Sequence, residues 1–471
     1  MAIEDARSRG GRPEERHGRR RVGFVHRHYR FAGLLFVVGL VFGLCSPLSA
    51  ASAGAAAKVP PASDVGITPT QIRIAVVADE QPSFSPGLFV KNVKLVQAWA
   101  NMLNSHGGLA GRHVVVDACD SKGDPNIAAN CFIQACSKDF ALVGTAEALG
   151  IANISTFAKC PNAKGQAIGI PNLEAFADTL AEQCSSVVFV IGGDSTRCAT
   201  ANDPRQTFTV PVGDLEYLST HFKGLHGIYI TSSTNGSLAA AYEATFKIGV
   251  QHGIKNDGTG LYPSFALAAQ SAMTPLISVI KAHGSTFAFD GAGGFNATAL
   301  VKEAAVQGVN TVKVWDCNDC YSTAYVQQAG AAGNNTYSTL SNLPFFSEYN
   351  LNPALKALVK EIGGVQNMDG LSLLSFNVAL LFQNAVQKVV ASGVTLDRSS
   401  LMHVLRTKET SFNAEGILGP TNVSAGLPSP CQVIVKLINQ KWHRVFPTKP
   451  GTFDCNPANV GKISLTPSQQ Q

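Results

Sequence analysis

Charge is scarce in this chain. Aspartate, glutamate, lysine and arginine make up only 15% of it, against 45% hydrophobic residues, and that balance excludes a disordered polyampholyte, which needs the reverse. Catalytic signatures are missing as well. There is no H-E-x-x-H and no G-x-S-x-G, so neither a helix-borne zinc hydrolase nor a nucleophile elbow is indicated. The glycine run at 291–294 is not followed by the Lys-Ser/Thr pair that a phosphate-cradling loop requires. No second C-x-x-C accompanies Cys317-Asn318-Asp319-Cys320 and no H-x₃₋₅-H pair follows it, so half a zinc site stands without its other half. Catalytic residues, a metal site and a cofactor are therefore not expected.

The surplus of positive charge is confined to the beginning. Residues 1–53 hold nine of the 37 basic and four of the 32 acidic residues, which leaves 28 of each in the remainder. A neutral remainder carries no basic footprint for nucleic acid. The basic segment, the apolar run Phe31–Leu44 and the small residues up to Ala51-Ser52-Ala53 are the three parts of a secretory signal peptide. The run falls short of the roughly 20 residues that cross a bilayer. Residues 1–53 are thus expected to be a leader and 54–63 a spacer, with the protein exported.

Of eleven cysteines, Cys45 lies in the leader and ten follow it. An even number in an oxidising compartment reads as disulfides. The sequence leaves the pairing open; neighbours in the chain suggest Cys119 with Cys131, Cys317 with Cys320 and Cys431 with Cys455.

From residue 71 the pattern alternates. A strand at 71–78 precedes a helix at 90–105, whose Val93, Val96, Trp99, Ala100 and Leu103 recur at helical spacing. A strand at 113–116 follows. Asp124 is placed to cap a helix that Pro125 opens, and a strand spans 140–144. This order implies a parallel sheet with helices on both faces. The rhythm restarts with strands at 226–230, 286–289 and 311–315 and helices at 238–252, 275–283 and 297–307. Two units of similar size imply two lobes. The apolar stretch 371–392 is interrupted by Asn377, Gln383, Asn384, Gln387 and Lys388, so a packed helix is expected there rather than a membrane span.

Several segments taken in order carry a resemblance: GITPTQIRIAVVAD (66–79), NMLNSHGGLAGRHVVV (101–116), ACDSKGDPNIAANC (118–131), PLISVIKAHGSTFAFDGAGG (275–294), NPALKALVKEIGG (352–364) and FNAEGILGPTNV (412–423). Together they resemble the leucine/isoleucine/valine-binding group of type I periplasmic solute-binding proteins, from residue 66 to about 445. The resemblance implies an α/β fold of two Rossmann-like lobes with parallel sheets and a three-crossover hinge. Lobe 1 would take 64–190 and 343–415, and lobe 2 would take 205–342 and 416–471. It also implies a monomer that captures a small solute between the lobes and delivers it to an ABC-type permease.

By the same resemblance, four loops face the ligand. Phe84, Leu88 and Phe89 follow the first strand. Thr145 and Glu147 stand where amino-acid binders place hydroxyl residues for the ligand carboxylate, and Asn172 belongs to the next loop, 171–174. On the second lobe, Ser233 and Asn235 follow one strand and Asp290 another. Asp319 is near the place of the acid that pairs with a ligand ammonium, a position that Asn318 itself occupies. Cys119 matches the family's first disulfide cysteine, whose usual partner is replaced by Ala146, leaving Cys131 or Cys136 as the nearest alternatives. Glu147, Asp290 and Asp319 would make the cleft acidic, favouring a cationic, amide-like or polyhydroxylated solute over a simple carboxylate. A transport-linked binding protein is the expected function, with a sensor of the same fold as the alternative and an enzyme as the least favoured class.

Overall fold

In the computed structural model, residues 61–148, 154–192, 195–197, 206–232, 236–262, 269–290 and 294–465 are described. The expected leader 1–53 and residues 54–60 of the expected spacer, and Ser233 and Asn235 among the expected site residues, lie outside them.

The first sheet is built from β1 (Gln71–Ala78), β2 (His113–Asp120), β3 (Ala141–Thr145), β4 (Asn172–Glu174) and β5 (Val188–Phe189), in the order β2-β1-β3-β4-β5. Every neighbouring pair is parallel. A parallel sheet covered on both faces wants continuous apolar strands, and β1 delivers this: Ile72, Ile74, Val76 and Val77 are all fully buried. The helix Val90–Ser105 follows β1, and Pro125–Lys138 follows β2. Asp124 caps the second of these by accepting from the backbone of Asn126 and Ile127 at 2.8 and 3.2 Å.

The long helix Gly370–Ala391 closes this sheet from far along the chain. It is long and apolar enough to cross a membrane, yet most of it is buried inside the protein. Trp99 donates to Gln383 at 2.9 Å and stacks edge-on against Phe382. Ser375 donates to the carbonyl of Gly144 at 3.2 Å and accepts from Asn92 at 2.9 Å. Gly144 has φ +84°, and a Cβ there would lie 2.5 Å from Val96 Cγ2. Only glycine satisfies both conditions.

After β6 (Ser195–Arg197) and β7 (Gln206–Pro211), a second sheet forms from β8 (His226–Ser232), β9 (Lys255–Tyr262), β10 (Phe287–Asp290), β11 (Val314–Asp316), β12 (Thr336–Leu340), β13 (Val433–Ile438) and β14 (Lys441–Phe446). Its order is β14-β13-β12-β11-β10-β8-β9. The strands β8 to β12 are parallel, whereas β13 and β14 run antiparallel at the edge. The strand expected at 311–315 is shorter at its start, because pairing begins only where Val314 meets Phe287. β15 (Val460–Leu465) pairs antiparallel with β7, and β6 with β7. Phe208, Val210, Ala241, Ala244 and Ile248 form the apolar layer between this small sheet and the helix Gly236–Gln251.

Disulfides join Cys119 to Cys131, Cys136 to Cys160, Cys317 to Cys320 and Cys431 to Cys455.

Candidate functional site

Parallel strands bring their carboxyl ends to one edge, where open α/β sheets generally hold ligands. On the first sheet that edge is polar and buried. Asp79, directly after β1, is 1% exposed. Its carboxylate accepts from the backbone of Gly123 at 2.5 Å and of Ala148 at 2.8 Å, and so ties together the loops after β1, β2 and β3. Ser121 Oγ lies 2.7 Å from Asp79 Oδ1 and 2.5 Å from Glu147 Oε1. A hydroxyl has one proton to give, so two such contacts require a proton on one of the carboxyls. Burial and then the Asp79 charge push the Glu147 carboxyl well above the usual range, against the hydrogen bond that Ser121 gives it.

A second chain of bonds starts at Thr145. Its hydroxyl donates to Asn172 Oδ1 at 2.9 Å, and the Asn172 amide donates to Glu174 Oε1 at 2.5 Å. All three residues are buried. The other oxygen of Glu174 meets no donor among the described residues. Desolvation, followed by the charges of Glu182, Asp178 and Glu147, raises this carboxyl well above the carboxylate range. Beside these groups, Phe89 packs with Ala78, Ala146, Ala148 and Ala175, with Phe84 and Leu88 against the same cluster. The Phe89 and Phe176 ring centroids are 5.4 Å apart. The strand ends thus gather Phe84, Phe89, Thr145 and Glu147 at one edge, and Asn172, expected in a loop, instead opens β4 and reaches that edge through Thr145 and Glu174. Asp79 and Ser121, absent from the expectations, are what fasten it. The signal available for Asp79 was its position, the first residue beyond a buried parallel strand.

On the second sheet, Asp290 ends β10 and Asp316 ends β11. Asp316 is 1% exposed, and neither of its oxygens has a donor among the described residues. Desolvation first, then Asp214 and Asp290, holds it well above the carboxylate range. Asp214, at the start of the helix Gly213–His221, accepts from Thr339 at 3.1 Å. Asp319 sits in the turn closed by Cys317 and Cys320. The residue is half-buried, but its carboxyl is enclosed enough for desolvation to push it up to about 6. Neighbouring Tyr321 is buried among Phe345, Phe346 and Trp442. Among the described residues no group of three or more His, Cys, Asp or Glu is arranged to hold a metal ion.

The family model described as periplasmic binding protein matches residues 71–436. The chain belongs to the periplasmic binding protein family. Its fold is the type I form of that family. Similar solved structures include a fatty acid ABC transporter substrate-binding protein from Thermomonospora curvata, with TM-score 0.62 and 15% identity over 83% of this chain and 98% of that one. The leucine-binding protein LivK of Thermotoga maritima gives 0.59 and 13%, over 79% and 97%. LivJ of Streptococcus pneumoniae, solved with isoleucine, gives 0.59 and 16%, over 80% and 99%. At these identities the likeness is one of fold, the fold of ABC transporter substrate-binding proteins. No curated protein matches by sequence.

Proposed function

We propose that this periplasmic binding protein is the extracytoplasmic solute-binding component of an ABC-type importer. It takes a small polar solute between a lobe of residues 64–190 with 343–415 and a lobe of 205–342 with 416–471, and the lobes close on it. The leader 1–53 directs its export, the folded protein is a monomer, and its partner is a membrane permease that reads the closed form. Phe84 and Phe89 wall the solute on the first lobe, and Thr145, Glu147 and Asn172 supply the polar edge. Ser233, Asn235, Asp290 and Asp319 meet it from the second.

One observation carries this reading. Buried polar side chains without a full set of partners sit at the carboxyl ends of parallel strands in both sheets, Glu174 in one and Asp316 in the other. Such groups are costly in a protein interior unless something pairs with them. A bound solute is that partner, and binding rather than turnover is the function it serves.

The test is a thermal-stability screen of the protein made in an oxidising compartment, against amino acids, amides, polyamines, sugars and fatty acids. A solute that binds only the folded state adds about 2.7 kcal/mol at a hundredfold excess over Kd. A class-specific rise in Tm supports the reading. A well-folded protein indifferent to every class overturns it.

A further inference from the structure

Six acidic residues converge on the carboxyl edge of the first sheet: Asp79 after β1, Asp120 at the end of β2, Glu147 after β3, Glu174 at the end of β4, and Asp178 and Glu182 beyond it. Two of them are built in a way that a solvated acidic face is not. Glu147 is 7% exposed and takes its one bond from a serine hydroxyl that also faces Asp79. Glu174 is 1% exposed, is oriented by the Thr145–Asn172 relay through one oxygen, and keeps the other without a donor among the described residues. The relay has a direction. Thr145 gives its proton to Asn172, Asn172 gives an amide proton to Glu174, and the chain therefore ends on an acceptor that still has lone pairs to offer.

On the reading that this edge belongs to the solute site, we infer that the solute is an organic cation whose protonated nitrogen is held by Glu174 Oε2 with Glu147 beside it. An anionic head group could bond Glu174 Oε2 only while that carboxyl keeps a proton, so the two ligand classes differ in whether capture releases it. A cation supplies the missing hydrogen-bond donor and the missing counter-charge together, which is the strongest class of hydrogen bond available to a carboxylate. Without the solute, desolvation and mutual repulsion push the Glu174 carboxyl well above the usual range. A bound cation favours the ionised carboxyl, so capture is expected to release a proton from Glu174. The charges facing that carboxyl are Glu147, Asp178 and Glu182, with Asp79 and Asp120 behind Glu147. All are acidic and all act in the same sense.

The experiment is calorimetric titration of the intact protein with putrescine, agmatine, glycinamide, leucine and hexanoate. Each is run in phosphate and in Tris, whose ionisation enthalpies differ, and across pH 5 to 8. The expected result is binding of an amine or guanidinium probe, with net proton release and an affinity that rises by up to about tenfold per pH unit while the carboxyl is still titrating. Glu174→Gln keeps the acceptor for Asn172 and removes the charge. It is expected to weaken the cationic probe at least a hundredfold while leaving Tm unchanged or higher. Glu147→Gln gives a second, smaller loss should the first variant fail to fold. Tight binding of leucine or hexanoate without proton release, and undiminished in Glu174→Gln, overturns the inference and leaves the solute-binding reading standing. Failure of every probe in a folded protein overturns the inference, and the wider screen, sugars included, then decides the solute-binding reading.

Discussion

Arg444 and Glu348 meet in parallel, Nε to Oε1 at 2.5 Å and Nη2 to Oε2 at 2.6 Å, with side chains only 6% and 5% exposed. Arg444 belongs to β14 and Glu348 to the short helix Phe345–Glu348, so the pair fastens the antiparallel edge of the second sheet to the segment that leaves β12. The remaining valences are used too. Arg444 Nη1 donates to the carbonyls of Pro447 and Thr452, and Gly451 donates to Glu348. Removing one partner strands a buried charge. Glu348→Ala or Arg444→Ala is expected to cost about 3–5 kcal/mol in urea unfolding, and the double variant Glu348→Leu/Arg444→Met less than the sum.

Asp316 gives the second sheet a pH dependence. Its folded carboxyl titrates well above the ordinary value of 3.8, so the folded state holds a proton that the unfolded chain has already lost. Stability from this group is full below about pH 4 and falls as pH rises, by up to about 1.4 kcal/mol per pH unit until the folded carboxyl ionises. Asp316→Asn keeps the shape without the titration. Its unfolding free energy, measured from pH 4 to 8, is expected to decline less steeply than that of the parent.

Gly144→Ala tests the contact between β3 and the long helix. The residue must adopt φ +84° and place its Cβ against Val96. Left-handed backbone costs an alanine about 1–2 kcal/mol, and overpacking a close interface typically adds about 1–3. A drop in Tm of several degrees is expected, and Val96→Ala in the same chain should restore part of it.

Cys136 and Cys160 are 24 residues apart. A cross-link closing a loop of that size restricts the unfolded chain by about 3 kcal/mol in the chain-entropy model. Replacing both with serine should lower stability by that order. A loss near zero in chemical denaturation would mean the bridge is dispensable.

The opening βαβαβ unit was legible because its signals are local: buried β-branched runs, a Trp99 face at helical spacing, an Asp-Pro helix start. Asp124 caps where it was expected to, and Gly370–Ala391 packs as a core helix rather than spanning a membrane. What escaped was non-local. β15 pairs with β7 across some 250 residues, Val460 opposite Pro211, and neither segment alternates strongly enough to be read alone. The start of β11 slipped for a related reason, since Thr311 and Val312 have strand propensity but the paired ladder begins only with Val314 opposite Phe287. At the site, Glu147 was legible as an unexpected acid, whereas Thr145 and Asn172, expected in loops, end β3 and open β4. Their hydrogen bonds to Asn172 and Glu174, and the role of Asp79 in joining three loops, depend on distances between strands that no single stretch of sequence encodes.

The dependence of the first sheet on Gly370–Ala391 also sets a timetable for synthesis. Leu95, Val96, Trp99 and Phe140 leave the ribosome early, whereas Phe382 and Gln383, which cover Trp99, arrive some 280 residues later. A nascent chain ending before residue 370 thus exposes an uncovered apolar face while β8 to β12 of the second sheet are being made. Such surface is what chaperones and export factors hold on to. The same long-range closure that completes the first sheet keeps the amino-terminal part of the protein unfinished, and so open to handling, until the last quarter of the chain appears.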